Sequence, residues 1–120
     1  LSVLADDEGL LTILNNLVDN AIKYTPERGA VTVRWRPHDL DSVLLEIQDT
    51  GIGIAPRDQA RVFERFYRVD KARSRELGGT GLGLSIVKHL VQSFHGTVGL
   101  VSKPREGTTF RIVLPQAKEA

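Results

Sequence analysis

Two asparagines, a lysine and a tyrosine recur at helical spacing in the first quarter of the chain. With Asn16 placed at zero and about 100° added per residue, Asn20, Lys23 and Tyr24 all fall within roughly 80° of it. Asparagine is a poor helix former away from helix ends, so two of them one turn apart indicate a use. Their amide oxygens suit Mg²⁺ held by phosphate oxygens, and lysine supplies a positive charge for phosphate. The alternative is a solvated helix flank with incidental asparagines.

A carboxylate followed by two glycines forms the second motif, Asp49-Thr-Gly-Ile-Gly53. A carboxylate at a strand end accepts hydrogen bonds, which suits an exocyclic amino group such as adenine N6. Glycine at Gly51 and Gly53 lets the backbone approach a planar ligand closely. The alternative is an ordinary turn initiated by aspartate.

The third motif is glycine-rich and extends from Gly78 to Ser85, where it leads into a predicted helix. Unpaired N–H groups at a helix N-terminus favour an anion such as phosphate. The segment is not a P-loop, because Leu84 stands where that motif requires lysine. It is not the dinucleotide fingerprint either, since no parallel βαβ unit surrounds it. A flexible linker is the alternative.

A basic aromatic segment, Phe63 to Arg68, precedes the glycines. Residues 57–75 contain seven basic and three acidic side chains, a net charge of 7 − 3 = +4. With few apolar residues between Val69 and Gly83, the pattern predicts a mobile loop that acts as a lid over a polyphosphate. Taken in isolation, the two phenylalanines are interpreted as packing residues. Nucleic-acid binding is disfavoured, because the whole chain carries only +1.

The elements needed to position these motifs follow from hydrophobic periodicity. The pattern predicts an α+β fold, a two-layer sandwich in which helices cover one face of a mixed, largely antiparallel sheet. Apolar residues such as Leu11 and Ile22 are predicted to belong to the core face of the first helix. Helices are predicted over 8–24, 57–68 and 84–94, and strands over 1–5, 31–36, 43–48, 97–102 and 108–114.

Composition narrows the function classes further. A chain of 120 residues fits one domain, 1–120, and the absence of cysteine excludes disulfides and thiolate chemistry. Its apolar runs are shorter than the roughly 18 residues of a membrane span, and no signal peptide is recognised at the start. Since the sequence contains no methionine, we expect it to be a fragment of a longer protein.

In order and spacing, the four motifs resemble the catalytic, ATP-binding domain of bacterial sensor histidine kinases, in the GHKL ATPase/kinase superfamily. Residues 16–25 are similar to the N box, 49–53 to the G1 box, 63–68 to the F box and 79–84 to the G2 box. Gly107-Thr-Thr-Phe110 and Leu114-Pro115 also match the family. The resemblance extends over nearly the whole chain.

The resemblance implies a role for each matching residue, with ATP and Mg²⁺ as ligands. Asn20 would coordinate Mg²⁺ with Asn16 beside it, and Asp49 would bind the adenine amino group, helped by Thr108 or Thr109. Lys23 and Arg68 would contact phosphate, which with Asn16 makes them the expected catalytic residues. The remaining expected nucleotide contacts are Tyr24, Gly51, Gly53, Ile54, Gly79, Thr80, Gly81, Leu82, Gly83 and Leu84.

One position separates kinases from hydrolases in this superfamily. Hydrolysing relatives carry glutamate four residues before the metal-binding asparagine, whereas this chain has Asn16, which cannot act as a general base. The resemblance therefore implies transfer of the γ-phosphoryl group to a histidine, with little turnover by the isolated chain. His38, His89 and His95 do not match the context of the family's phosphorylated histidine. The alternative is a degenerate module that senses nucleotide or docks to a partner without catalysis.

The resemblance also implies partners. The acceptor histidine would lie on an N-terminal dimerisation domain, and a response regulator would act downstream. The parent would be anchored in the plasma membrane with this domain in the cytoplasm. The isolated chain is expected to be a monomer without contact to membrane or nucleic acid.

Overall fold

The computed structural model describes residues 5–65, 67 and 83–116. Four strands form one sheet in the order β1-β2-β4-β3, and the long helices α1 and α3 pack on one face of it. The α+β two-layer architecture predicted from the sequence is confirmed. The elements are α1 (Asp7–Tyr24), β1 (Val31–Pro37), β2 (Ser42–Asp49), α2 (Pro56–Gln59), α3 (Gly83–Ser93), β3 (Thr97–Lys103) and β4 (Gly107–Pro115).

Two hairpins make up the sheet, and they meet where β2 pairs with β4. All pairings between the described strands are antiparallel, so the mixed sheet of the prediction is not found in this part of the chain. The predicted strand over 1–5 lies almost entirely outside the described residues. Side chains alternate between the two faces of each strand, and Leu45, Ile47, Phe110 and Ile112 point toward the helices.

The first helix begins at a capped residue and buries a narrow stripe. Asp6 Oδ1 accepts a hydrogen bond from Gly9 N at 2.6 Å, which satisfies one of the free N–H groups of the first turn. Ile13 and Leu17 are fully buried on this helix, together with Ala21. They lie in the hydrophobic core against Val87 and Val91 of α3 and the inner face of the sheet.

The rotation of α1 differs from the prediction. Leu11 is 58% exposed and Ile22 is 61% exposed, although both were expected in the core. The buried stripe is centred about 90° away, nearer to the asparagines. The reason is that α1 packs against α3 as well as the sheet, so its buried direction lies between these two neighbours.

This rotation makes a paired test possible. We expect Ile13→Ala to lower the free energy of unfolding by about 3 kcal/mol, because it leaves a cavity in a packed core. Leu11→Ala should change it by less than about 0.5 kcal/mol, since that side chain is largely in solvent. Urea unfolding of the two variants measures both values, and equal losses would contradict the orientation of α1.

The predicted helix over 57–68 is wrong beyond its first turn. After α2 the backbone forms successive turns closed by hydrogen bonds between residues three apart. Arg61 N donates to Asp58 O at 2.9 Å, and Glu64 N donates to Arg61 O at 2.9 Å. Tight turns of this kind replace a regular helix where side chains of one segment pack against different parts of the fold. Phe63 packs edge-on against Phe110 at a centroid distance of 6.0 Å, which draws the segment onto the core.

Candidate nucleotide-binding site

A buried carboxylate forms the floor of the site at the end of β2. Asp49 is 7% exposed and lies on the helix-facing side of the sheet. Its Oδ1 accepts hydrogen bonds from Gly51 N at 2.8 Å and Thr108 N at 3.2 Å. Because a buried carboxylate must be compensated by donors, these two amides hold the side chain in one orientation.

The segment Gly51–Ile54 after Asp49, called the glycine loop below, lies between the end of α1 and the β3–β4 turn. Ile52 N donates to Tyr24 O at 3.2 Å, and Arg105 N donates to Ile52 O at 2.7 Å. A methyl group added at Gly51 would collide with Tyr24 O and lie 2.9 Å from Asp49 Oδ1. Gly53 has φ +73°, and a methyl group there would collide with Lys103 O. Both positions therefore require glycine because the loop packs closely against the backbone of Tyr24 and Lys103, and this packing brings the end of α1 beside Asp49.

The asparagine stripe of α1 is partly buried, and Asn16 lies beside the beginning of α3. Asn16, Asn20 and Tyr24 are all partly buried, as expected if the stripe lies against the fold and not in open solvent. A methyl group added at Gly83 would lie 3.4 Å from Asn16 Oδ1. The structure thus places Asn16 of the first motif next to the last glycine of the glycine-rich segment.

Lys23 is not bound to another predicted site residue among those described. Its Nζ lies 3.1 Å from Asp19 Oδ2, and the two side chains are 30% and 64% exposed. An exposed ion pair of this kind contributes little, so the ammonium group can exchange Asp19 for another anion.

The two threonines of β4 are separated by the pleat of the strand. Thr108 is 5% exposed and shares the inner face with Asp49, whereas Thr109 pairs with Gln48 and Val101 on the outer face. The geometry favours Thr108 as the residue that assists Asp49. Ile54 and Leu84 are partly buried against the core.

Several predicted site residues lie outside the described part of the chain. They include Arg68 and most of the G2 box, with the lid between them. Those residues are Arg68, Gly79, Thr80, Gly81 and Leu82.

The structure also reveals polar residues that the sequence analysis missed. Ser102 and Gln59 hydrogen-bond to the glycine loop from β3 and α2. Tyr67 Oη donates to Asp58 Oδ1, a contact that raises the pKa of Tyr67, and its ring lies 4.6 Å from the guanidinium carbon of Arg61. These contacts hold the end of the basic aromatic segment against α2. Only the register of β3 against β4 could have revealed Ser102, because it places that residue opposite Thr108.

Comparison with known proteins agrees with this geometry. The family described as histidine kinase-, DNA gyrase B- and HSP90-like ATPases matches residues 5–118. The sensor-like histidine kinase SenX3 of Mycobacterium tuberculosis is 51% identical over 120 residues. That alignment covers 100% of this chain and 29% of SenX3, so the chain spans less than a third of its relative's length.

Solved structures give the same result. The mycobacterial sensor histidine kinase MprB matches with a TM-score of 0.86 and 38% identity, covering 98% of this chain and 78% of that one. Full-length ShkA in complex with AMPPNP matches with a TM-score of 0.83 and 37% identity, covering 98% of this chain and 24% of ShkA. The chain belongs to the family of histidine kinase-, DNA gyrase B- and HSP90-like ATPases, and within that family its domain is of the sensor histidine kinase type.

Proposed function

We propose that the chain binds MgATP and presents the γ-phosphoryl group to a histidine on another domain. The observation that carries this proposal is the buried Asp49 carboxylate, fixed by two backbone amides beside a loop that only glycine can form. Together they form a preorganised hydrogen-bond acceptor at the end of β2.

Adenine is the ligand that suits this end of the site. Asp49 Oδ1 is engaged by Gly51 and Thr108, so Oδ2 is the oxygen available to accept from the adenine amino group. Guanine carries a carbonyl oxygen at the same position and would oppose the carboxylate. A preference for ATP over GTP follows from this geometry.

The phosphates would lie toward the stripe on α1. Asn20, with Asn16 beside it, offers neutral oxygen donors that fit Mg²⁺, which typically uses one or two protein ligands together with phosphates and water. Mg²⁺ would supply charge neutralisation for the phosphates when bound. Lys23 would leave Asp19 for phosphate, and Arg68 with Gly79–Gly83 would complete the phosphate contacts.

The chemistry would be transfer and not hydrolysis. An amide at Asn16 cannot take a proton from water near neutral pH, so the site lacks a base at the position where hydrolysing relatives have glutamate. The reaction breaks the bond between the β–γ bridging oxygen and the γ-phosphorus, forms a bond from phosphorus to a histidine nitrogen, and releases ADP. Phosphoryl transfer depends mostly on positioning and charge stabilisation, both of which these residues supply.

The acceptor and later partners would belong to the rest of a longer protein. The relatives are sensor kinases of which this chain matches 29%, which supports separate dimerisation and phosphoacceptor domains. We infer a response regulator as the next acceptor and a membrane-anchored parent with this domain in the cytoplasm. In the described part of the chain, no helix combines the length and apolar character needed to cross a membrane.

Calorimetric titration of the chain with ATP and GTP, with and without Mg²⁺, tests this proposal. We expect micromolar binding of ATP, at least tenfold weaker binding of GTP, and a gain in affinity from Mg²⁺. Turnover of ATP by the chain alone should be slow, whereas addition of a histidine-containing dimerisation domain of a close relative should produce phosphohistidine.

Two results would contradict the proposal. Equal binding of both nucleotides, or none, would favour a degenerate module that only docks to a partner. Rapid hydrolysis of ATP by the chain alone would exclude the role assigned to Asn16.

A further inference from the structure

One serine hydroxyl connects two walls of the candidate adenine site. Ser102 lies on β3 directly opposite Thr108. Its Oγ accepts from Ile54 N at 2.8 Å, lies 3.0 Å from Gly107 O, and lies 2.7 Å from Thr108 Oγ1. The glycine loop and the first residues of β4 therefore both contact the same atom, Ser102 Oγ.

The hydrogen-bonding capacity of this atom constrains Thr108. A serine hydroxyl has one proton and two lone pairs, and Ile54 N occupies one lone pair. If the Ser102 proton goes to Gly107 O, the Thr108 hydroxyl donates to Ser102 and offers only lone pairs elsewhere. If it goes to Thr108 Oγ1, the Thr108 proton is free for another acceptor. Ser102 thus controls whether Thr108 acts as donor or acceptor beside Asp49.

A glutamine side chain holds the same loop from α2. The Nε2 amino group of Gln59 donates to Ile54 O at 2.9 Å and to Ser102 O at 3.2 Å. Both protons of this amino group are directed at backbone carbonyls, one on the loop and one on β3. Gln59 and Ser102 therefore bind both the N–H and the carbonyl of Ile54, which fixes the end of the loop.

We propose that Ser102, supported by Gln59, is a positioning residue that sets the affinity and purine preference of the site. It fixes the end of the Gly51–Ile54 loop beside Asp49, and it orients the Thr108 hydroxyl. This inference rests on the proposed function, since it concerns how well the same site binds ATP.

The test compares Ser102→Ala with two serine controls. Ser102→Thr keeps a hydroxyl at the position. Ser42→Ala removes a hydroxyl at the end of β2 opposite to Asp49, where Ser42 pairs with Pro115. We expect Ser102→Ala to weaken ATP binding about tenfold, a typical effect of losing one to two hydrogen bonds, and to reduce the ratio of ATP to GTP affinity. Ser102→Thr should restore most of both, and Ser42→Ala should leave both unchanged.

Gln59→Glu supplies an independent test of the contacts that hold Ile54. The substitution preserves the shape of the side chain but replaces Nε2 with a carboxylate oxygen, which faces two carbonyl oxygens. It should also weaken ATP binding about tenfold. Amide hydrogen exchange in the absence of ligand should show faster exchange at Ile54 in this variant and in Ser102→Ala.

The outcomes separate this inference from the proposed function. If the wild type binds ATP and Ser102→Ala binds it with the same affinity and the same preference over GTP, the inference alone is overturned. A loss in Ser102→Thr as large as in Ser102→Ala would assign the effect to packing, and would also overturn it. Failure of the wild-type chain to bind ATP would overturn the proposed function and this inference together.

Discussion

Asp49→Asn is expected to weaken ATP binding about 100-fold while leaving the fold intact. The two backbone donors explain why so small a change has a large effect. Gly51 N and Thr108 N both require an acceptor at the Oδ1 position, so the asparagine oxygen must point toward them. Its amino group then occupies the position of Oδ2 and faces the adenine amino group. In the variant, the asparagine amino group faces the adenine amino group, so two hydrogen-bond donors oppose each other. In the wild type, a charged acceptor stands at that position.

Titration calorimetry with ATP measures this loss, and urea unfolding shows whether the fold survives. Stability should be nearly unchanged, because the oxygen retains both backbone hydrogen bonds. Asp41→Asn is the matched control, since it makes the same substitution at an exposed position just before the other end of β2. Binding by Asp49→Asn within threefold of the wild type would show that the carboxylate does not contact the nucleotide.

Gly107→Ala is expected to lower the free energy of unfolding by at least about 3 kcal/mol. Gly107 begins β4 with φ +125°, a conformation that residues with a side chain rarely adopt. The added methyl group would also collide with Asp49 O and lie 3.0 Å from Thr50 Cα. Backbone atoms cannot move aside as a flexible side chain can. The strand must therefore shift away from β2, which also displaces Thr108 N from Asp49.

Gly99→Ala provides the control for this prediction. Gly99 lies on the neighbouring strand β3, and a methyl group added there has no atom among the described residues within 4 Å. We expect a change of less than about 0.5 kcal/mol, or slight stabilisation, because glycine is unfavourable inside a strand. Urea denaturation of both variants measures the contrast. Equal unfolding midpoints would contradict the close approach of β4 to the end of β2.

Local pattern was sufficient to predict most elements of the fold. The alternation of apolar residues predicted both hairpins, and the helical period predicted α1 and α3 to within one residue at each end. These elements depend on neighbours in the sequence, so the sequence alone determines them. Gly51 and Gly53 were predicted to allow a close approach to a planar ligand, whereas the close approach that the structure shows is to the backbone of Tyr24 and Lys103.

Other features depended on contacts between distant residues. The helical period establishes the angles between Leu11, Ile13 and Asn16, but only packing against α3 and the sheet decides which of them is buried. In the same way, alternation predicts that Thr108 and Thr109 lie on opposite faces of the sheet. The register of β4 against β2 decides which one meets Asp49.

The hydrogen bonds around Ser102 show the same limit most clearly. Ser102 and Ile54 are 48 residues apart in the sequence, and Ser102 and Gln59 are 43 apart. No local pattern indicates that these groups meet, because their contact requires the assembled four-stranded sheet and the turn that follows Gly53. The sequence by itself determined the family, most of the elements and the chemical groups of the candidate site. The tertiary structure decided which of those groups face one another, since hydrogen bonds need distances and directions that only the packed chain defines.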